Sequence, residues 1–339
     1  MQISSKDLHR FRLDGPLGEG ADLEVFAATD TQTGSSVVIK RPHPTLLERG
    51  QQRTVERRTA EAIAIKMRLG EALRHVAPML AYTEQESHAD YFGDGIDEPY
   101  TVVVDARAVG IPLVGSALDG IKRQPIGLPQ NLFALHPVNA HPAKRAFSIA
   151  GEVLGVAEAF FTQDVVLLDL RPQNVYFDPA KAEITVIDVG NIVQPREATG
   201  RHAALDMHDF YLELLKWYVP SAPAPQDAKA YTEPHGMDAV SQFNSDLDAL
   251  ARSFGSKFSD AESGGAMSML EKIRSRSYQG TSDFRRDLEE LMKGLSDEYE
   301  KHAVTPLIGV WRDAASMMSK PHWSKFMFSP EDMSPYVAC

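Results

Sequence analysis

The chain has 339 residues, of which 43% are hydrophobic and 24% charged, and a formal net charge of -12. That length exceeds the usual single domain and favours one large domain or two lobes sharing a cleft. The charge disfavours nucleic acid and anionic membranes as partners, and no apolar run approaches the roughly 20 residues a bilayer-spanning helix requires. The N-terminal MQISSKDLHRFRLDG lacks the apolar core of a secretory signal, and the single cysteine is Cys339, so a soluble cytoplasmic protein is expected.

Taken in chain order, residues 11–40 carry glycines, then EVFAATD, the turn-like TQTGS and the β-branched SVVIK, which predict two or three antiparallel strands. Gln51 to Val76 is rich in Ala, Glu, Arg and Leu and predicts a helix interrupted near Gly70. MLAYTEQ and PYTVVVDA then predict two further strands, giving a small α+β layer over the first 105 residues or so. Residues 111–144 hold five prolines and no clean period, which predicts an extended connection with short helical turns. A helix follows from Arg145 to Thr162. Beyond it, DMHDFYLELLKWY, MDAVSQFNSDLDALARSF, GAMSMLEKIRSR and SDFRRDLEELMKGL predict a mainly helical second half, with Ser282 as a cap before the last helix. Residues 219–236 are Pro/Ala-rich and predict an exposed loop.

The chemistry concentrates in VVLLDLRPQNVYFDPAKAEITVIDVGN, residues 165–191, which predicts strand, tight loop, strand, then a further strand ending at Asp188. Pro172 fixes the loop backbone and Gly190 lets the chain turn. An aspartate placed to accept a hydroxyl proton, with an asparagine and a second aspartate as hard oxygen ligands, suits a divalent cation and phosphoryl transfer.

These residues resemble the protein-kinase superfamily. Its catalytic-loop pattern H-R-D-L-x-x-x-N corresponds to Leu167, Leu168, Asp169, Leu170, Arg171, Pro172, Gln173 and Asn174, and its D-F-G to Asp188, Val189 and Gly190. Upstream, LGEGADLEVFAATDTQTGSSVVIKR is similar to the family's glycine-rich hairpin and following strand, with Gly18, Gly20 and Val25 in register and Lys40 at the V-A-I-K lysine. The resemblance spans roughly residues 11–295. It implies an α+β bilobal fold, with an antiparallel-sheet N-lobe over 1–105 and a mainly helical C-lobe over 106–339. It also implies ATP with magnesium or manganese in the cleft. On this reading Asp169 takes the acceptor proton, Arg171 neutralises the transferring phosphoryl, Asn174 and Asp188 hold the metal, and Lys40 binds the α- and β-phosphates.

The resemblance further implies a helix glutamate paired with Lys40. Glu56 and Glu61 stand 16 and 21 residues downstream. Their spacing of five residues rotates them about 140° apart at ~100° per residue, so one must be a surface acid. Glu61, followed by the small apolar AIAI, is the favoured partner. Val104 falls at the back of the implied adenine pocket, with Asp105, Ala106 and Arg107 as hinge backbone, and Asp206 or Asp209 is the structural acid of a central helix.

Several positions depart from the family pattern. Leu167 and Leu168 replace the His-Arg pair, whose arginine reads activation-loop phosphate. The segment from Asp188 to Asp206 is short and lacks A-P-E. Leu23 stands at the third glycine position, and Asp22 and Glu24 put acids where triphosphate belongs unless basic residues offset them. From the matching motifs, the leading expectation is transfer of the γ-phosphoryl of ATP to a protein serine or threonine hydroxyl, although the short segment after Asp188 counts against a typical protein substrate. Two alternatives remain: a small-molecule kinase resembling aminoglycoside or choline phosphotransferases, and a pseudokinase acting as a nucleotide-binding or scaffolding module. The Met- and aromatic-bearing tail from Leu307 either folds back on its own lobe or docks a partner.

Overall fold

Six strands of the first 108 residues pair into one sheet. These are β1 (Gln2–Ile3), β2 (Phe11–Glu19), β3 (Leu23–Asp30), β4 (Ser36–Pro42), β5 (Met79–Thr83) and β6 (Val103–Ala106), in the order β1-β5-β6-β4-β3-β2. The structure is a computed structural model that describes residues 1–19, 22–108, 111–112, 146–178, 183–217, 243–257 and 260–301. The chain divides into two compact units, Met1–Ala108 and Val109–Cys339. Both are mixtures of helix and mainly antiparallel sheet.

In the first unit, strand alternation decides what each face of the sheet presents. Val37 and Ile39 are fully buried, and Ile39 lies opposite Val104, so these residues share one face. That face forms a core with Leu8, Phe11, Ala28, Leu47, Tyr100 and Val102. Short elements supply its cover: a 3-10 turn over Ser5–Arg10, α1 (Pro44–Glu48) and the segment around α3 (Ala89–Phe92). The alternate residues Val38 and Lys40 point to the other face, where α2 (Arg53–Leu69) contributes Lys66 to the contact described below. The helix ends at Gly70, whose φ of +47° is readily adopted only by a residue without a Cβ. The helical prediction over 51–76 is thus borne out as 53–69 followed by a 3-10 turn to Leu73.

Parallel pairing of β1 with β5 is an addition to the expected strands. The N-terminal ammonium donates to Leu80 O at 3.1 Å, so the first residues close one edge of the sheet. Buried beneath that edge, His88 lies 2.9 Å from Ser5 Oγ through Nδ1 and 2.9 Å from Tyr100 O through Nε2. Burial holds its pKa below the usual histidine value, against the pull of Tyr100 O and Glu86.

The second unit holds α4 (Ala146–Phe161), α5 (Met207–Lys216), α6 (Phe243–Lys257), α7 (Asp260–Arg274) and α8 (Thr281–Lys301). Fully buried Phe254, Phe284 and Trp217 belong to its core, and Tyr211 stacks on Phe284 at 4.0 Å between centroids. Asp206 caps α5 by accepting from His208 N at 2.7 Å, while its own N donates to Asp209 Oδ2 at 2.9 Å. Arg276 binds both acids, with Nη1 2.9 Å from Asp209 Oδ2. Both aspartates are therefore structural. Ser282 lies inside the first turn of α8, where Asp283 N bonds to Gly280 O, so the cap position falls earlier than expected.

Small strands complete the unit: β7 (Ile111–Pro112), β8 (Val166–Leu167), β9 (Val175–Asp178), β10 (Glu183–Val186) and β11 (Ile192–Val193). They pair as β10-β9-β7 and β11-β8. Residues 111–112 are thus strand, whereas the expectations for 113–144, 219–236 and the tail from Leu307 fall outside the described residues. Among the described residues no helix is long and apolar enough to cross a membrane.

Candidate functional site

Three of the predicted residues stand in one row across the first unit's sheet. Gly18 pairs with Val25, Val25 with Lys40, and Lys40 with Val103. Directly opposed residues of paired strands project to the same side, so Val25 and Lys40 share a face. Gly20 lies outside the described residues. The two acids that follow it are each met by an arginine: Asp22 pairs with Arg58 of α2, and Glu24 accepts from Arg41 Nε at 2.8 Å. Burial disfavours charge on Arg41, but Asp94, Tyr100 and Glu24 hold its pKa above the ordinary value. Phe92 stacks against its guanidinium, 4.1 Å away. Both hairpin acids thus have a cationic partner, although Arg41 is shared with Asp94.

Residues 104–107 require correction. Val104 faces the core with Ile39, on the side opposite Lys40, so it cannot border a pocket on the lysine face. Asp105, opposite Val38, is the residue on that face. Its carboxylate is buried, with Oδ2 3.4 Å from Lys40 Nζ and Oδ1 2.9 Å from Lys66 Nζ. The expected hinge backbone also has partners within the sheet: Ala106 N donates to Pro78 O at 2.8 Å and Arg107 N to Ser36 O at 3.3 Å.

Neither proposed glutamate makes a described ion pair with Lys40. Glu56 is buried and accepts from Thr101 N at 3.1 Å, Thr101 Oγ1 at 3.0 Å and Gln85 Nε2 at 2.9 Å, fixing α2 to the β5–β6 end of the sheet. Glu61 stands five residues before Lys66, hence about 140° around the helix from the side chain that reaches Asp105. The sign of the contact is inverted relative to expectation, because the helix supplies a lysine and a strand supplies the acid. A sequence signal existed: a lone acid ending the apolar run YTVVVDA is expensive to bury unless a cation meets it.

In the second unit, a turn stabilised by Pro172 brings the predicted groups together. Asn174 Nδ2 donates to Asp169 O at 2.8 Å and to Asp169 Oδ2 at 3.0 Å. Arg171 Nε lies 2.9 Å from Asp169 Oδ1, at ion-pair distance. Two backbone bonds tie this turn to the next segment, Leu168 N to Asn191 O at 2.9 Å and Ile187 N to Asn174 O at 2.8 Å. Asp169, Asp188 and Asn191 consequently line one shallow recess with Leu167, Leu170 and Val189. Leu167 and Leu168, just before Asp169, are buried and supply apolar packing beside the acid.

Asp188 adopts φ +56°, the left-handed region that costs a side-chain-bearing residue energy. Strain of this kind persists where surrounding structure imposes it, and it concentrates at functional sites. The donor set suits a hard cation. Asn174 uses its amide nitrogen on Asp169, which leaves its carbonyl oxygen as a ligand, and Asp188 adds a carboxylate. Among the described residues no group of three or more His, Cys, Asp and Glu could hold a metal ion by itself, so a cation here would need the Asn174 amide oxygen, the Asp188 carboxylate and ligands from substrate together. No protein-family model matches this chain, and no curated protein matches it.

Proposed function

We propose that the chain is an ATP-dependent phosphotransferase resembling a serine/threonine protein kinase. The observation that carries this reading is the Asp169 turn: one carboxylate held by Asn174, with Arg171 beside it, in a recess shared with left-handed Asp188. Further support comes from the sheet order, in which the Gly18 hairpin, the Lys40 strand and β6 are adjacent and α2 joins the Lys40 strand to β5.

In this reading Asp169 accepts the proton of the attacking hydroxyl. Its bonds to Asn174 and its contact with Arg171 fix the carboxylate's orientation, so little reorganisation is needed at the moment of transfer. Asn174 and Asp188 would hold magnesium, which supplies charge neutralisation on the phosphates. Lys40 would bind the α- and β-phosphates. With leucine in place of the pattern's arginine, no side chain at position 168 is available to read phosphate on the short segment after Asp188, and activity would not require phosphorylation there.

A second reading, a nucleotide-binding or scaffolding module without transfer, is favoured by one specific feature: Lys40 is engaged by Asp105, and the N–H groups of Ala106 and Arg107 are already used in the sheet. Incubation with γ-labelled ATP, alone and with protein fractions, separates the two. Label on protein in the wild type and its loss in Asp169→Ala support transfer. ATP binding without transfer supports the module, and label moving only to small molecules reassigns the acceptor class.

A further inference from the structure

Two arginines meet the acids of the Gly18 hairpin, and they are held in different ways. Arg41 is enclosed, with 5% of its side chain exposed, and is surrounded by Glu24, Asp94, the Tyr100 hydroxyl and the Phe92 ring. Arg58 is 24% exposed, and its described partner is the carboxylate of Asp22, itself 46% exposed. The first arginine is built into the sheet, whereas the second pair is open to solvent.

Neither member of that second pair depends on the contact for its place. Asp22 is held by its backbone, whose carbonyl accepts from His43 N at 2.9 Å. Arg58 stands on α2, which Glu56 ties to Thr101 and Lys66 ties to Asp105. Along the helix it lies three residues after buried Val55, four before buried Ala62 and seven before buried Ile65, and so on the packed stripe. The same helix contacts the sheet face of Lys40 through Lys66 and Asp105, and Arg58 reaches the hairpin from that side.

We propose that Arg58 is a phosphate-binding residue of the hairpin and that Asp22 is its placeholder, holding the guanidinium until the phosphate of a nucleotide takes it. This deepens the phosphotransferase reading and rests on it for the source of the phosphate. An ion pair this exposed contributes little, so its loss is a small cost. A guanidinium can donate two parallel hydrogen bonds to phosphate oxygens, while the released Asp22 carboxylate is rehydrated. The exchange also answers the repulsion expected from an acid beside triphosphate, because that acid turns to water as the anion takes its partner.

Full-length Asp22→Asn, Arg58→Met and the double variant provide the test, by calorimetric titration with Mg-ATP, inorganic tripolyphosphate and adenosine and by urea unfolding without ligand. Arg58→Met should weaken binding of Mg-ATP and tripolyphosphate by roughly tenfold, the scale of one charge-assisted contact, and leave adenosine unchanged. Asp22→Asn should strengthen binding of both anions several-fold, and the double variant should bind them as Arg58→Met does, because Asp22 acts through the arginine. The urea midpoints should match wild type. Unchanged anion affinity in Arg58→Met overturns the proposal alone. So does a gain from Asp22→Asn that survives in the double variant, which would make Asp22 a simple repulsive charge. Weaker adenosine binding or a lowered urea midpoint in Arg58→Met also overturns it, making the pair a brace of the hairpin. Tripolyphosphate bound through Arg58 with no Mg-ATP binding by the wild type removes the nucleotide reading and keeps the arginine as an anion site, and binding of none of the three removes both.

Discussion

Each unit builds a cluster around one aspartate, and the two clusters solve different problems. In the first, Asp105 is sealed in a sheet between two lysines, where its desolvation must be compensated by close pairing. In the second, Asp169 sits on a short turn, part-exposed, with an amide and a guanidinium orienting it beside an open recess. A buried shared acid is suited to setting the charge of its neighbours. A part-exposed oriented acid is suited to accepting a proton. The difference teaches that residue type alone does not assign a role, since burial and the number of partners decide it.

The sharpest way to break this comparison is to remove each acid in turn. Asp169→Ala should reduce phosphoryl transfer by about 10²- to 10⁴-fold, the usual range for a general base, while leaving Mg-ATP binding within a few-fold of wild type. Asp105→Asn should instead act on stability, costing about 3–5 kcal/mol in urea unfolding because two enclosed ammonium groups lose their counter-ion. If Asp105→Asn were as stable as wild type, the sealed cluster would have no structural standing.

Asp188 allows a finer cut, because its backbone and its carboxylate make separable contributions. Asp188→Gly removes the steric cost of the left-handed φ and should stay within about 1 kcal/mol of wild-type stability. Asp188→Ala keeps that cost. Both variants should lose magnesium-dependent nucleotide binding, measured by titration with and without the cation. Retention of that dependence in either would remove Asp188 from the metal site.

The smallest expected effect concerns His88, under the β1 edge. An unfolded chain protonates histidine near pH 6.5, whereas burial holds His88 below that value in the folded chain. Between the two values the unfolded state binds more protons, so stability falls as pH drops from about 6.5 and levels off below the folded value. The urea midpoint of wild type should therefore decline more steeply across this window than that of His88→Asn. Parallel slopes would mean that His88 carries no such penalty.

The sequence made some of these features legible and hid others for physical reasons. Linear motifs survive translation into structure when one turn contains them: Asp169 and Asn174 are five residues apart and meet within a single turn, and Pro172 signals it. The SVVIK alternation likewise assigned Lys40 to one face and Ile39 to the other. What failed was parity across strands. Val104 and Asp105 are neighbours in sequence but project to opposite faces, and only the pairing of β6 with β4 determines which one accompanies Lys40. The helix partner was missed for a related reason. The resemblance points to an acid on α2, Glu56 or Glu61, whereas the acid described beside Lys40 lies on β6 and the helix offers Lys66. The pairing of Asp22 with Arg58 and of Glu24 with Arg41 joins residues 36 and 17 apart, beyond the reach of local pattern.

The most direct test of the central claim is transfer from γ-labelled Mg-ATP by wild type and Asp169→Asn, run side by side with Mg-ATP titration of both proteins. Label transferred by the wild type, at least 10²-fold less transfer by the variant, and equal nucleotide binding by the two are the predicted results. Equal transfer by both proteins, or nucleotide binding with no transfer by either, would contradict it.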